Sequence, residues 1–177
     1  KLGSHDQEMH VGVRAHQEQM MNRRARASGL NTYAVDETYN LGDYVGGYRE
    51  RDLRKAKALA FYLENRTQVT DQLAVTPGVR VERYKQKRAN QMTQKLGTSS
   101  NTEIVPGLGL TYDMTKDLVL FAGAHKGFAP PTVADAISSA GVPEDLDAER
   151  STNFELGLRG KWARGNYEFT AFRLDFD

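Results

Sequence analysis

Cysteine is absent from the 177-residue sequence, which excludes a disulfide framework and a thiolate metal site. An excess of charge of one sign is also lacking, because 24 Lys and Arg residues offset 23 Asp and Glu residues to a net charge of +1. Nucleic-acid binding normally needs a concentrated basic surface, so no nucleic-acid partner is predicted. The longest apolar run, from Leu118 to Ala124, is far shorter than the roughly 20 residues of a membrane-spanning helix.

Motifs of enzyme active sites are missing as well. The sequence contains no recognisable Ser/His/Asp constellation and no clustered carboxylate site. Gly107-Leu108-Gly109 is the nearest approach to a glycine-rich dinucleotide loop, but it lies inside a strand pattern and no helix follows it. The sequence therefore predicts a protein that is not an enzyme.

What the sequence does contain is apolar residues that recur at every second position. Side chains of a strand point alternately to its two faces, so this period predicts strands with one apolar and one polar face. In the last of them, Phe172, Leu174 and Phe176 alternate with charged residues. The predicted strands are residues 8–17, 73–82, 104–112, 118–128, 152–162 and 167 onwards.

Two segments are less clear. Residues 55–68 contain strong helix formers, which favour a helix by propensity, yet Leu59, Phe61 and Leu63 also recur with period two. On the residues alone, helix and strand both remain open. Pro77 lies within the cleanest strand pattern, and a proline argues against a fully laddered central strand unless a bulge relieves it.

The predicted connections alternate in length. Residues 22–54, 85–102 and 129–147 are long and polar, and a helical turn or two is expected within 132–139. Residues 69–72, 114–117 and 163–166 are short turns. Outer-membrane barrels have short turns at one end and long loops at the other, and their polar loops and half-buried strands are compatible with the mean hydropathy of −0.62,.

Two motifs carry a resemblance to a known family. Gly127-Phe128-Ala129-Pro130-Pro131 ends one strand, and Glu149-Arg150-Ser151-Thr152-Asn153-Phe154-Glu155-Leu156-Gly157-Leu158-Arg159-Gly160 opens the next. The combination resembles the late barrel strands of TonB-dependent outer-membrane receptors, in particular the iron-siderophore group that includes the ferric dicitrate receptors. The resemblance covers residues 56–177, and the first fifty residues more loosely. It also favours a strand over a helix for residues 55–68.

The resemblance implies an all-β, antiparallel transmembrane β-barrel in the bacterial outer membrane. The family's barrel has about 22 strands around a plugged lumen, so residues 1–177 would be an internal piece with about seven strands. The plug domain would not be part of this chain, and a signal peptide would lie upstream, since residues 1–5 lack an apolar core,.

The implied function is capture of an iron-siderophore complex outside the cell, followed by import with energy from the TonB complex acting through the plug. Outer-membrane lipid and the chelate are the other expected partners. No cofactor is expected, because the Fe³⁺-siderophore is cargo; haem capture through His10 or His16 is kept as an alternative. The alternative functions are a passive porin-like or structural outer-membrane barrel, and a soluble β-domain or enzyme.

Candidate site residues follow from the predicted faces and loops. If the apolar face meets lipid, the polar face lines the lumen. His10 and His16 share that face but lie about 20 Å apart by strand rise, too far for one metal ion. Arginine and tyrosine side chains in the first long loop suit an anionic, rigid chelate, although an ordinary solvated loop would have a similar composition. The predicted lumen-facing residues are His10, Arg14, His16, Arg80, Glu82, Glu155 and Arg159, and the predicted ligand-binding residues are Arg49, Arg51, Arg54, Tyr44, Tyr48, His125 and Lys126.

Overall fold

A computed structural model describes residues 6–25 and 48–177. Seven strands form a single antiparallel sheet in which each strand pairs with its neighbours in the chain. A short helix, α1 (Val133–Ala136), lies between the fifth and sixth strands. The strands are β1 (Gln7–Ala25), β2 (Tyr48–Gln68), β3 (Leu73–Asn90), β4 (Lys95–Thr115), β5 (Leu118–Ala129), β6 (Glu149–Trp162) and β7 (Gly165–Phe176). The all-β antiparallel prediction is confirmed, and residues 55–68 belong to a strand.

One face of the sheet, called the apolar face here, carries a continuous band of apolar side chains. The pairing register places Val13, Phe61, Val81 and Ile104 side by side across the first four strands. The band continues over β5 to β7, where Leu156 lies opposite both an alanine of β5 and an alanine of β7. Phe61 is 48% exposed and Ile104 64% exposed. Such a large exposed apolar surface indicates an apolar surrounding medium or partner.

Aromatic side chains mark the short-turn end of this band. Tyr112 of β4 lies there, and Trp162 and Tyr167 flank the tight turn between β6 and β7. The rings of Trp162 and Tyr167 meet edge to face with centroids 6.4 Å apart. Outer-membrane barrels carry aromatic girdles at the boundaries of their apolar band.

Strand β7 departs from the simple division of faces. Phe172 lies opposite Glu155 and Leu174 opposite Asn153, so both belong to the polar face. Tyr167 and Phe169 project on the apolar face instead, because Phe169 lies opposite Leu158. The alternation in the last strand is therefore as predicted, but its apolar residues after position 171 lie on the polar side.

Three connections at one end of the sheet are short, as predicted. Residues 69–72 join β2 to β3, residues 116–117 join β4 to β5, and residues 163–164 join β6 to β7. At the other end, called the loop end here, residues 130–148 join β5 to β6 and contain α1 inside the segment expected to be helical.

The predicted long loop at residues 85–102 is wrong. β3 continues to Asn90 and β4 begins at Lys95, with an unbroken register from Arg83 and Thr102 to Asn90 and Lys95. A tight turn closes this hairpin, where the Asn90 side-chain oxygen accepts hydrogen bonds from the amides of Met92 and Thr93. The segment is polar on both faces, so it shows none of the alternation that predicted the other strands.

The first long connection is also shorter than predicted. β1 extends to Ala25 and β2 begins at Tyr48, so the expected loop at residues 22–54 loses both of its ends to strands. Pro77 lies within β3, where the pairing of β2 with β3 is interrupted between the Glu64–Gly78 and Thr67–Val75 pairs without a change of register. The interruption replaces the bulge that the proline was expected to require.

Candidate functional site

The loop end of the polar face is covered by residues 130–148, called the β5–β6 loop here. Three side chains of β3 hold it in place. Gln86 Nε2 donates a hydrogen bond to the carbonyl of Pro131 at 2.7 Å, Arg88 Nη1 to that of Ile137 at 2.9 Å, and Asn90 Nδ2 to that of Ser139 at 3.2 Å. These donors occupy successive positions on one face of the strand, so the strand period sets the spacing of the contacts.

A small core forms between the loop and the sheet. Ile137 is fully buried, and Ala136 and Ala148 are nearly so. The close approach depends on Gly97 of β4, because a Cβ atom there would come within 2.3 Å of Ile137 and 2.6 Å of the carbonyl of Gly141. Gly141 has a φ of +79°, a left-handed conformation that glycine adopts without strain.

A network of buried charges lies beneath this loop. Asp52 of β2 is fully buried, and its Oδ2 atom accepts a hydrogen bond from Arg88 Nε at 2.6 Å. Glu50 Oε1 accepts from Arg54 at 2.9 Å and from Arg88 at 3.3 Å. Arg24 of β1 reaches the other oxygen of Glu50 at 3.3 Å. Arg24 is 70% exposed, so the buried part of the network contains two guanidinium groups and two carboxylates.

A cavity of about 530 Å³ adjoins this network on the polar face. Arg54 borders both, and its Nε atom is buried without a hydrogen-bond partner among the described residues. Gln86 Oε1 is buried and unpartnered in the same way. The cavity is lined by His16, Glu18, Met20, Arg54, Tyr84 and Pro131, among others. It therefore offers guanidinium, imidazole, phenol and carboxylate groups to a small polar molecule.

A second cluster joins the start of the β5–β6 loop to β3 and β4. The rings of Tyr84 and Phe128 stack with centroids 6.2 Å apart and planes 16° from parallel. Arg150 donates to both oxygens of Glu103, at 3.1 and 3.2 Å. Burial raises the pKa of the Tyr84 phenol above its ordinary value.

Phe128 lies near the end of β5, and its ring stacks on Tyr84 of the polar face. The pairing of β5 with β4 ends at the His125–Gly107 pair. Beyond this pair, the end of β5 is free of β4 and crosses towards the polar face, where the ring of Phe128 reaches Tyr84.

The predicted lumen-facing residues all lie on the polar face, by register. Most have a local ion-pairing partner: His10 with Glu8, His16 with Glu18, and Arg80 with Glu82. Arg159 contacts Glu168 across the β6–β7 pair at 2.9 Å, and its guanidinium lies 5.1 Å from the ring centroid of Phe121.

The structure brings only part of the predicted ligand set together. Arg54 belongs to the charge network and the cavity. Arg51 lies on the apolar-face side of β2, opposite Arg23. His125 lies on the polar face between Gly107 and Asn153, whereas Lys126 points to the other side. Tyr44 and the side chains of Tyr48 and Arg49 lie outside the described residues.

The sequence does not single out Asp52, Tyr84, Gln86 or Arg88 as site residues. Gln86 and Arg88 lie in the predicted loop at residues 85–102, and Tyr84 lies next to it. Asp52 lies in the predicted loop at residues 22–54. A signal was present. From Glu82 to Asn90, every odd position except Ala89 is basic, while the even positions are large and mixed in charge. This is an alternation of charge rather than of hydropathy.

No three His, Asp or Glu side chains among the described residues come together in a way that could hold a metal ion. In the described part of the chain, no helix is long and apolar enough to cross a membrane.

The sequence model of the TonB dependent receptor-like β-barrel matches residues 4–177. The chain belongs to the TonB-dependent receptor family. This family is one of transport receptors of the bacterial outer membrane rather than an enzyme class, and its barrel contains the seven-stranded antiparallel sheet seen here.

Relatives and solved structures agree with this membership. The chain is 27% identical over 138 residues to the metal-pseudopaline receptor CntO of Pseudomonas aeruginosa, covering 73% of this chain and 19% of that protein. It is also 27% identical over 128 residues to an uncharacterized TonB-dependent receptor of Haemophilus influenzae, covering 67% of this chain and 34% of that protein. The chain therefore spans about a fifth to a third of these relatives.

Two crystal structures share its fold. The ferric citrate transporter FecA, in its unliganded form, superposes with a TM-score of 0.78 and 22% identity over 99% of this chain and 25% of that one. The ferric-catecholate import receptor Fiu of Escherichia coli K12 superposes with a TM-score of 0.71 and 16% identity over 99% of this chain and 29% of that one.

Proposed function

We propose that this chain forms part of the wall of a receptor that binds a metal–siderophore complex outside the cell and imports it with energy from the TonB complex. Family membership supports the receptor role. Similar proteins support the cargo class, since they include a metal-pseudopaline receptor, a ferric citrate transporter and a ferric-catecholate import receptor.

The orientation follows from the two faces. In outer-membrane barrels the apolar band meets lipid, short turns face the periplasm and longer loops face the exterior. The turns at residues 69–72, 116–117 and 163–164 then lie on the periplasmic side. The β5–β6 loop and the 530 Å³ cavity lie on the outer side, within the lumen, where a ligand arrives.

One observation carries the choice of an anionic cargo: the Nε atom of Arg54 is buried beside the cavity and has no hydrogen-bond partner among the described residues. Guanidinium groups bind carboxylate and catecholate oxygens through strong charge-assisted hydrogen bonds. Tyr84 and His16 add flat, amphipathic surfaces to the cavity wall, which suit a rigid chelate.

Binding is tested with the complete receptor in detergent, by calorimetric titration with ferric citrate and with a ferric catecholate. Arg54→Gln is expected to weaken binding of the preferred chelate by about ten- to a hundredfold, the value of a hydrogen bond to a charged group. Arg66→Gln is the matched control, since Arg66 bonds to Gln68 on the same face at the short-turn end. Equal affinities for the two variants would contradict the proposed site.

Transport is tested separately by uptake of radioactive iron in cells that have no other ferric receptor. Uptake should require the receptor and should stop when the proton gradient is collapsed, because TonB-coupled import uses that energy. Binding of neither chelate, together with uptake that is insensitive to the gradient, would favour the passive barrel instead.

A further inference from the structure

The apolar face changes character abruptly at the loop end. The row of Val13, Phe61, Val81 and Ile104 is followed by Ala15, Leu59, Arg83 and Thr102. The next two rows contain no apolar residue. They read Gln17, Lys57, Lys85, Ser100 and then Gln19, Lys55, Lys87, Thr98.

Five cations therefore occupy two adjacent strands without a carboxylate in the same rows. Lys55 lies directly opposite Lys87, and Lys57 directly opposite Lys85. Like charges in directly opposed positions of a sheet repel each other. The acidic residues at this level, including Asp52 and Glu82, project on the polar face and pair there with arginines. None of the five cations makes an ion pair within the described part of the chain.

The geometry of the patch suits phosphate groups. Neighbouring strands are about 4.8 Å apart and successive same-face residues about 7 Å apart, so several cations reach one anion. Ser100, Thr98 and Thr102 place hydroxyl donors along one side of the patch, and Gln17 and Gln19 place amides along the other. A shallow depression of about 430 Å³ is lined by Gln17, Lys57, Leu59, Arg83 and Lys85, which offers an apolar floor next to a cationic rim.

We propose that Lys55, Lys57, Arg83, Lys85 and Lys87 form a binding site for the phosphate groups of anionic lipids at the outer boundary of the membrane. The patch adjoins the lipid-facing band without a gap, so a bound lipid would place its acyl chains on Phe61, Val81 and Leu59 and its phosphate on the cations. Free phosphate could contact the cations, but it has no apolar part that would bind to the neighbouring apolar band. By register the five cations lie on the apolar face, whereas Arg54 and Tyr84 of the proposed chelate cavity lie on the polar face. Lys55 and Lys57 also border that cavity, but Arg83, Lys85 and Lys87 do not.

The test uses the complete receptor in detergent, titrated with dioleoylphosphatidylglycerol or dioleoylphosphatidylcholine and followed by native mass spectrometry. Lys57→Gln/Lys85→Gln should bind the anionic lipid about tenfold more weakly than the natural protein at low salt, since each cation near an anionic headgroup contributes several-fold. Binding of the zwitterionic lipid should not change. Arg14→Gln/Lys161→Gln removes the same charge from the polar face and should leave the binding of both lipids within twofold.

Two further arms complete the experiment. Lys57→Arg/Lys85→Arg should restore anionic-lipid binding, and circular dichroism should show the same strand content in all variants. An equal loss in the polar-face control, or no loss in Lys57→Gln/Lys85→Gln, would overturn the proposal. Competition by millimolar inorganic phosphate as effective as the anionic lipid would overturn the assignment to lipid, because it would show that the acyl chains contribute nothing.

Discussion

Strand β3 passes through two regions that differ on both faces. From Leu73 to Val81 its apolar-face side chains are apolar, and its polar-face residues are half-buried apart from the buried Ala74. From Arg83 to Asn90 its apolar-face side chains are mostly basic, while Tyr84, Gln86 and Arg88 on the other face are buried under the β5–β6 loop. The same backbone ladder thus continues from a lipid environment into water.

The difference shows that alternation of apolar and polar residues along a barrel strand reflects the medium on each side of the sheet. The alternation is not a requirement of strand formation itself. In the first region, lipid requires apolar residues on one face. Residues 73–83 span roughly 34 Å along a strand, or roughly 25 Å across the membrane at the usual tilt. Beyond that height neither face meets lipid, and only the small core under the loop requires apolar residues.

Replacing Arg88 with leucine should have the largest effect on the loop-covered region. Arg88→Leu leaves Asp52 buried without its main partner and removes the hydrogen bond to the Ile137 carbonyl. Breaking a buried ion pair costs roughly 3–5 kcal/mol, and the effect should appear as faster hydrogen exchange of the Ser138 and Glu144 amides, which bond within the loop. The backbone amides of the strands in the apolar band should exchange at the same rate as in the natural protein.

Two further variants test this result. Arg88→Lys should fall between the natural protein and Arg88→Leu, because it keeps the charge but loses the planar fork. Arg164→Leu, in the exposed turn between β6 and β7, should leave loop exchange unchanged. If the loop amides of Arg88→Leu were as protected from exchange as those of the natural protein, the contacts of Arg88 would not be what holds the loop in place.

A charge placed in the band should have the next largest effect. Leu108→Arg lies at mid-height on β4, between Tyr112 and Ile104, and should destabilise the receptor by roughly 2–4 kcal/mol in urea unfolding from lipid vesicles. Leu96→Arg is the matched control, because Leu96 is 55% exposed on the same side of β4 beyond the band. Leu96→Arg should leave the free energy of unfolding almost unchanged. An equal loss of stability at both positions would contradict the distinction between the two regions.

Gly97→Ala should have a smaller effect, confined to the loop. The new Cβ would overlap Ile137 and the Gly141 carbonyl, and overpacking of this kind costs roughly 1–3 kcal/mol. Gly109→Ala on the same strand has ordinary contact distance, with Thr76 at 3.6 Å, and should be close to neutral. The comparison is read from protease cleavage of the loop, and equal resistance of the two variants would contradict the tight approach.

The fold could be predicted from the sequence wherever lipid forces alternation. The strands through the band, the short turn at residues 69–72 and the helical turn before Ile137 followed from period two and from turn residues. The 85–102 hairpin could not be predicted in this way, because water on both sides imposes no hydropathy pattern. Only the charge alternation from Arg83 to Lys87 marked it as a strand.

The candidate site could be predicted only in part. Arg54 and His16 were chosen for their chemistry, and both line the cavity. Asp52, Gln86 and Arg88 depend on a contact between β3 and a loop about forty-five residues later, and such a long-range contact leaves no local period. His125 and Lys126 are adjacent in sequence and therefore point to opposite faces,.

The most direct test is the change of medium along β3 itself, measured with spin labels. The chain has no cysteine, so single cysteines can be introduced at Val79, Val81, Lys85 and Lys87 of the receptor in lipid vesicles and labelled. Labels at Val79 and Val81 should collide with oxygen and be shielded from a water-soluble nickel chelate, while labels at Lys85 and Lys87 should show the reverse. The same accessibility at all four positions would contradict the division of the strand between lipid and water.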